Sequence, residues 1–210
     1  MSGIFNLKDR EISLFTANEA MRVVLDGLDN DVFKIIDIVS GNMIDDCQDD
    51  KKWIEYIEKM DAVVPGDVKF LEKAGIYDKK IVKETSAKIF VKMLLRYMTK
   101  NNKKVFIISV NHENLLKVKD RLKGYGRGLV IEGMSVAELT GRSEDVIINE
   151  INAMDPDCII SVMPSPKQEE FISYNRAFIN GRVWIGCGCI LSEENPQPKR
   201  KKLFNFLKNL

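Results

Sequence analysis

Histidine is almost missing from this chain of 210 residues: His112 is the only one, beside four cysteines. A zinc centre takes about four nitrogen or sulfur ligands, so the donors are too few and too scattered for one. Cys187-Gly-Cys189 accordingly reads as a glycine-rich turn that carries two thiols, and no metal and no cofactor is expected. Charge of one sign is also lacking. Lys and Arg number 32 against 31 Asp and Glu, a formal net charge of +1, which removes any global attraction to nucleic acid. Aromatic residues are not interleaved with basic ones, so a nucleic-acid surface is not expected. No apolar run approaches the ~20 residues of a membrane-spanning helix, and MSGIFNLKDR lacks the apolar centre of a signal peptide. A cytoplasmic location follows as the expectation, with Cys47, Cys158, Cys187 and Cys189 as thiols.

What is present is ordinary globular composition, 45% apolar and 30% charged, in a length that can bury one sizeable core. No repeat or linker divides it. The most informative stretch is Pro156 to Phe171, PDCIISVMPSPKQEEF. Asp157 to Val162 has almost no polar face and reads as a buried strand, which Pro164 and Pro166 stop. A helix from Lys167 to about Phe178 then begins with Gln168, Glu169 and Glu170 near its positive end.

The same rhythm recurs along the chain. Thr16-Ala-Asn-Glu19 has capping-box spacing and opens a helix to about Leu28. Phe33 to Val39 reads as a buried strand ending in Ser40-Gly41-Asn42. Helix is predicted from Asp50 to Lys59, strand from Asp61 to Val64 with Pro65-Gly66-Asp67 as its turn, and a short helix from Val68 to Ile76. Tyr77 to Glu84 reads as a charged connection and Ser86 to Met98 as helix. Lys104 to Ser109 is a strand, followed by helix from Glu113 to Lys123 and a brief strand at Leu129 to Ile131. Ser143 caps a helix to Ala153, and Arg182 to Ile185 is the last strand.

Alternating strands and helices predict a single-domain, Rossmann-like three-layer α/β sandwich over residues 1–195 with a mostly parallel sheet. In such a sheet all parallel strands end on one edge, where ligands bind. Ser40 to Asn42, Gly66-Asp67, Asn111-His112, Ser165 to Glu169 and Gly186 to Gly188 are therefore expected to line it. Asp67 reads either as a general base or sugar-binding carboxylate, or as an ordinary helix cap. Lys167, Gln168 and Glu169 either grip a nucleotide sugar or form a solvated first helical turn. Ser40 and Asn42 either contact a ligand or satisfy turn backbone, with Gly66, Gly186 and Gly188 giving close backbone approach. His112 reads as a surface residue.

Residues 196–210 form a basic amphipathic tail. Lys199, Arg200, Lys201 and Lys202 precede Leu203, Phe206, Leu207 and Leu210, an apolar stripe at helical spacing. The pattern fits a helix lying on anionic lipid, and equally one docked on the body or on a second subunit.

Ile151-Asn152, Pro156-Asp157 and Pro166-Lys-Gln-Glu169 resemble, in order and spacing, the IN…PD…PxQE segment of the WecG/TagA/CpsF glycosyltransferases. Weaker similarity runs from about Ile35 to Gly188. The resemblance implies inverting, metal-independent transfer of an N-acetylhexosamine, typically N-acetylmannosamine, from a UDP-sugar to a lipid-diphosphate-linked sugar. The acceptor would lie at the inner face of the cell membrane, with the tail as a shortened membrane appendage and with self-association common in the family. Ser40 and Asn42 fall on the family's Thr-x-Asn, and the PKQE residues beside its nucleotide site. This chain departs from the pattern in carrying Gly66-Asp67 where the family has Asp-Gly, Ser109-Val110 where it has two glycines, and Cys187-Gly-Cys189 after the last strand. Two readings follow: a divergent active transferase, or a non-catalytic relative that binds nucleotide sugar or partner proteins as regulator or scaffold.

Overall fold

A computed structural model describes residues 3–125, 128–137 and 144–191. The chain begins with an antiparallel hairpin, β1 (Gly3–Leu7) and β2 (Arg10–Leu14), and continues through α1 (Ala17–Asn30), β3 (Lys34–Val39), α2 (Gly41–Cys47) and α3 (Lys51–Glu58). Then come β4 (Ala62–Pro65), α4 (Val68–Lys73), α5 (Lys79–Ser86), α6 (Ile89–Lys100), β5 (Lys104–Ser109) and α7 (His112–Tyr125). The last elements are β6 (Val130–Val136), α8 (Glu144–Met154), β7 (Cys158–Val162), α9 (Lys167–Asn175) and β8 (Val183–Gly186). A 3-10 turn, Gly188–Leu191, closes the described chain.

The strands form one sheet in the order β1-β2-β4-β3-β8-β7-β5-β6, parallel except for the β1–β2 pair. This is a single α/β domain, as the alternation of elements predicts. Side chains alternate across each strand, so each sheet face feeds its own core. Ile36 and Ile38 of β3 join Val24 of α1, Leu95 of α6 and Val118 of α7 on one face. On the other, α2, α3 and α4 pack over the β2–β4 end, while α8 and α9 pack over β5, β7 and β8. Trp53 and Trp184 are both fully buried on this second face. Each large apolar side chain so buried contributes roughly 1.5–3 kcal/mol relative to exposure.

Local rules explain most boundaries. Thr16 forms the expected capping box, its Oγ1 accepting from the Glu19 amide at 3.3 Å while Glu19 Oε2 accepts from the Thr16 amide at 3.0 Å. Asp50 caps α3 by accepting from the amides of Lys52 and Trp53. Several expectations need correction. The segment after Ser40 is the helix α2 rather than an open turn, because Ser40 Oγ accepts from Met43 N and begins a new helix. Much of the charged connection after Tyr77 is α5, which Asp78 caps through the amides of Lys80 and Ile81. The first hairpin strand went unread, β6 runs on to Val136, and α9 ends at Asn175. Ser143 and the tail, including Lys199, Arg200, Lys201, Lys202, Leu203, Phe206, Leu207 and Leu210, lie outside the described residues.

Candidate active site

The carboxyl ends of β2, β3 and β4 border a small cleft of about 30 Å³, room for little more than water in this structure. Its walls include Thr16, Ile38, Pro65 and Gly66 from the sheet edge and Glu84 and Lys88 from α5 and the start of α6. Those last two are what sequence reading missed. Both lie in or beside a helix mistaken for a connection, and an acidic and a basic residue four apart at a helix terminus was the available signal.

Asp67 stands one residue beyond Gly66 and is half-buried. Its Oδ1 accepts from Phe70 N at 2.7 Å, which caps α4, and from Gly41 N at 3.0 Å, which ties the turn after β3 to the turn after β4. Close packing of these turns needs Gly41: a Cβ there would lie 2.4 Å from Lys69 Cγ and 2.8 Å from the Lys69 carbonyl carbon. Both bonds fall on Oδ1. Asn42 is exposed, and its Oδ1 accepts from Lys69 Nζ at 2.6 Å. Ser40 is buried and spends its hydroxyl on the α2 cap.

The turn after β7 is built differently. Lys167 is exposed, whereas Gln168 and Glu169 are buried at 1% and 0% exposure, so neither belongs to a solvated helical turn. The strand register explains where they go. Asp37, Gly186 and Ser161 lie opposite one another on β3, β8 and β7, in one transverse row. Gly186 leaves the middle of that row empty, and the Gln168 amide fills it: a Cβ on Gly186 would sit 2.6 Å from Gln168 Nε2 and 2.2 Å from Asp37 Oδ1. Gln168 Nε2 donates to Asp37 Oδ1 at 3.0 Å, and Gln168 Oε1 accepts from Gly188 N at 3.0 Å. Gly188 takes φ of +49°, a left-handed conformation natural to glycine. Ser165 Oγ donates to Glu169 Oε1 at 2.6 Å.

Asp37 was passed over because it sits inside the apolar run KIIDIV, and the single carboxylate within that run was the signal. Burial pushes its carboxyl well above the usual range, and the neighbouring Glu169 pushes it further. Burial likewise raises Glu169, against a smaller opposing effect of the Ser165 hydrogen bond. Cys47, buried beneath the same helices, is pushed up to about 12 by burial and then by the charge of Glu169. Burial also drives the Cys187 thiol upward, with Asp37 adding to the effect. Cys47, Cys158 and Cys187 are free thiols.

The other half of the PD…PxQE segment is scaffold. Asn152 Oδ1 accepts from Asn180 N at 2.7 Å and Asp157 Oδ2 accepts from Lys104 N at 2.8 Å, both at the amino edge of the sheet. Asn111 and His112 begin α7 and are exposed.

In an open parallel sheet, the carboxyl edge that carries this cleft and these glycine-lined turns is where ligands bind. The chain belongs to the WecG/TagA/CpsF family of glycosyl transferases, whose sequence profile matches residues 5–193 of 210. No curated protein matches the chain. Membership brings a sugar donor and an acceptor as substrates in general terms.

Proposed function

We propose that this protein is an inverting, metal-independent transferase that moves an N-acetylhexosamine of the N-acetylmannosamine kind. The donor is a UDP-sugar and the acceptor a polyprenyl-diphosphate-linked sugar, in cell-surface polysaccharide or teichoic-acid synthesis. Family membership carries this reading, and the position of Asp67, one residue beyond Gly66 of the cleft wall at the carboxyl edge, supports it. Asp67 Oδ2 takes the proton of the acceptor hydroxyl as that oxygen bonds to the sugar's anomeric carbon. The bond from that carbon to the diphosphate breaks on the opposite side, and UDP leaves with the electron pair. Lys88 places a cation in the cleft wall, suited to the diphosphate.

The reading of this chain as a regulator or scaffold also has an observation in its favour. Asp67 Oδ1 is occupied by two backbone amides, and Gln168 and Glu169 turn into the protein. Calorimetry with UDP, UDP-N-acetylglucosamine and UDP-N-acetylmannosamine, followed by a transfer assay on a lipid-linked acceptor, separates the two. Saturable binding with turnover is the expected result. Binding without turnover supports the scaffold, and no binding at millimolar ligand overturns the nucleotide-sugar site.

No helix among the described residues is long and apolar enough to cross a membrane. Residues 199–210 supply peripheral attachment to the inner face in this proposal, through lysines and arginine on anionic headgroups and the leucine and phenylalanine stripe beneath. Removing them is expected to abolish sedimentation with anionic vesicles. Unaltered sedimentation would assign the tail to a protein contact, including one between copies of this chain.

A further inference from the structure

Two carboxyls, Asp37 and Glu169, lie in the interior between β3 and α9, at 2% and 0% exposure. Their side-chain donors can be counted. The Gln168 amide nitrogen serves both, at 3.0 Å to Asp37 Oδ1 and 3.4 Å to Glu169 Oε1, and Ser165 Oγ serves Glu169 Oε1 again. Asp37 Oδ2 and Glu169 Oε2 are both buried without a donor. The two carboxyls are neighbours, since one amide nitrogen reaches both, and the Trp53 indole nitrogen is buried without an acceptor. Among the described residues, no lysine or arginine is bonded to this group.

A buried carboxylate without a cation is costly, and two side by side are more so. A single proton resolves the arrangement. Carried by one carboxyl, it makes an O–H donor that can satisfy the orphaned oxygen of the other, leaving one negative charge among the donors of Gln168 and Ser165.

We propose that Asp37 and Glu169 hold one proton between them in the folded protein. That proton keeps Gln168 stretched across Gly186, so that the turns after β7 and β8 stay fixed at the sheet edge. Asp37 and Glu169 are thus positioning residues. They act through Gln168 on the Gly188 amide and through Ser165 on the turn that begins α9. The proposal does not depend on which sugar, if any, the protein transfers.

The titratable groups that face the pair are Cys47 from α2 and Cys187 after β8, with Asp46 and Asp50 beyond the former and Lys88 beyond the latter. Both thiols are displaced to higher pH by burial and stay neutral through the physiological range.

The sign is fixed by proton counting. Unfolded, both carboxyls ionise near pH 4, whereas the folded pair retains its proton. Folding therefore takes up one proton at higher pH, and stability is greatest below the unfolded carboxylate range and declines as pH rises through the window up to the folded value. For one proton the folding equilibrium constant falls about tenfold per pH unit. Asp26, Asp45 and Glu113 are shifted downward and act in acid, whereas Lys34 and Lys69 are shifted upward and act in alkali. The interval from about pH 5.5 to 8 isolates the pair among these groups.

Urea unfolding of the full chain across that interval tests it. The expected result is a fall of about tenfold per pH unit in the wild type. The fall disappears in the Asp37→Asn/Glu169→Gln double variant. A flat wild-type profile, or an equal slope in the double variant, overturns the proposal. Should the double variant not fold, infrared spectroscopy of the wild type labelled in Asp and Glu still decides it. A carbonyl band of an un-ionised carboxyl at neutral pH is expected, and its absence overturns the shared proton.

Discussion

The turns after β4 and β7 look alike in sequence and differ in the folded chain. Each follows a buried strand, has proline at or just past the strand end, and offers a carboxylate where a helix starts, Asp67 as the cap of α4 and Glu169 in the first turn of α9. Asp67 stays half-buried, next in sequence to Gly66 of the cleft wall, with Oδ1 tied to two backbone amides. Glu169 is wholly enclosed, with Gln168 and Asp37. The difference comes from the neighbouring strand. Gly186 leaves a gap in the sheet that a side chain from α9 fills, so the polar groups of the β7 turn fold inward. Position on the carboxyl edge thus gives a residue two alternatives, facing the ligand or bracing the edge, and the space beside it chooses.

The largest expected effect lies on the open side. Asp67→Asn retains an oxygen for the amides of Phe70 and Gly41, and Asn caps helices as well as Asp. Stability is therefore expected to change little while turnover in the transfer assay falls by about 10²–10⁴, the usual contribution of a positioned base. Unchanged turnover would erase the contrast and make Asp67 a brace as well. On the closed side, Gly186→Ala drives a methyl group against Asp37 Oδ1 and Gln168 Nε2. Overpacking of this kind costs about 1–3 kcal/mol. Chemical denaturation is expected to show that loss together with a weakened pH slope. An alanine variant with wild-type stability would mean that the gap is not what directs Gln168 inward.

Much of this arrangement was legible in the sequence. Apolar runs located β3, β4, β5, β7 and β8, and their alternation with helices gave a parallel sheet and its carboxyl edge. Capping chemistry located the start of α1, and the apolar face of Trp53, Ile54 and Ile57 located α3. The hairpin strand β1 and the helices α2 and α5 were harder, because each is short and takes much of its stability from packing: Phe5 against Phe70, Met43 and Ile44 under the sheet, Ile81 and Val82 against the same cluster. The site was half legible. PKQE was recognisable as a motif, but its meaning depends on Asp37, which is 131 positions away from Gln168. Only the strand register brings them together. Glu84 and Lys88 escaped for a similar reason, since the cleft exists only where α5 and α6 meet the ends of β3 and β4.

The smallest expected effect tests whether rigidity of the edge in general, rather than the proton pair in particular, sets its pH response. Thr16 lines the cleft and caps α1 from the far side of the molecule's open turn, with its hydroxyl donating to Glu19 Oε2 at 2.8 Å. Thr16→Ala removes both roles of that oxygen in the capping box and is expected to cost about 1 kcal/mol. Thr16→Ser restores most of it, because the acceptor for the Glu19 amide returns. Neither variant touches Asp37, Gln168 or Glu169, so both retain the wild-type slope of stability between about pH 5.5 and 8. A slope that flattened in Thr16→Ala would show that the two sides of the edge respond as one unit, and the distinction between an open and a braced turn would then be one of exposure alone.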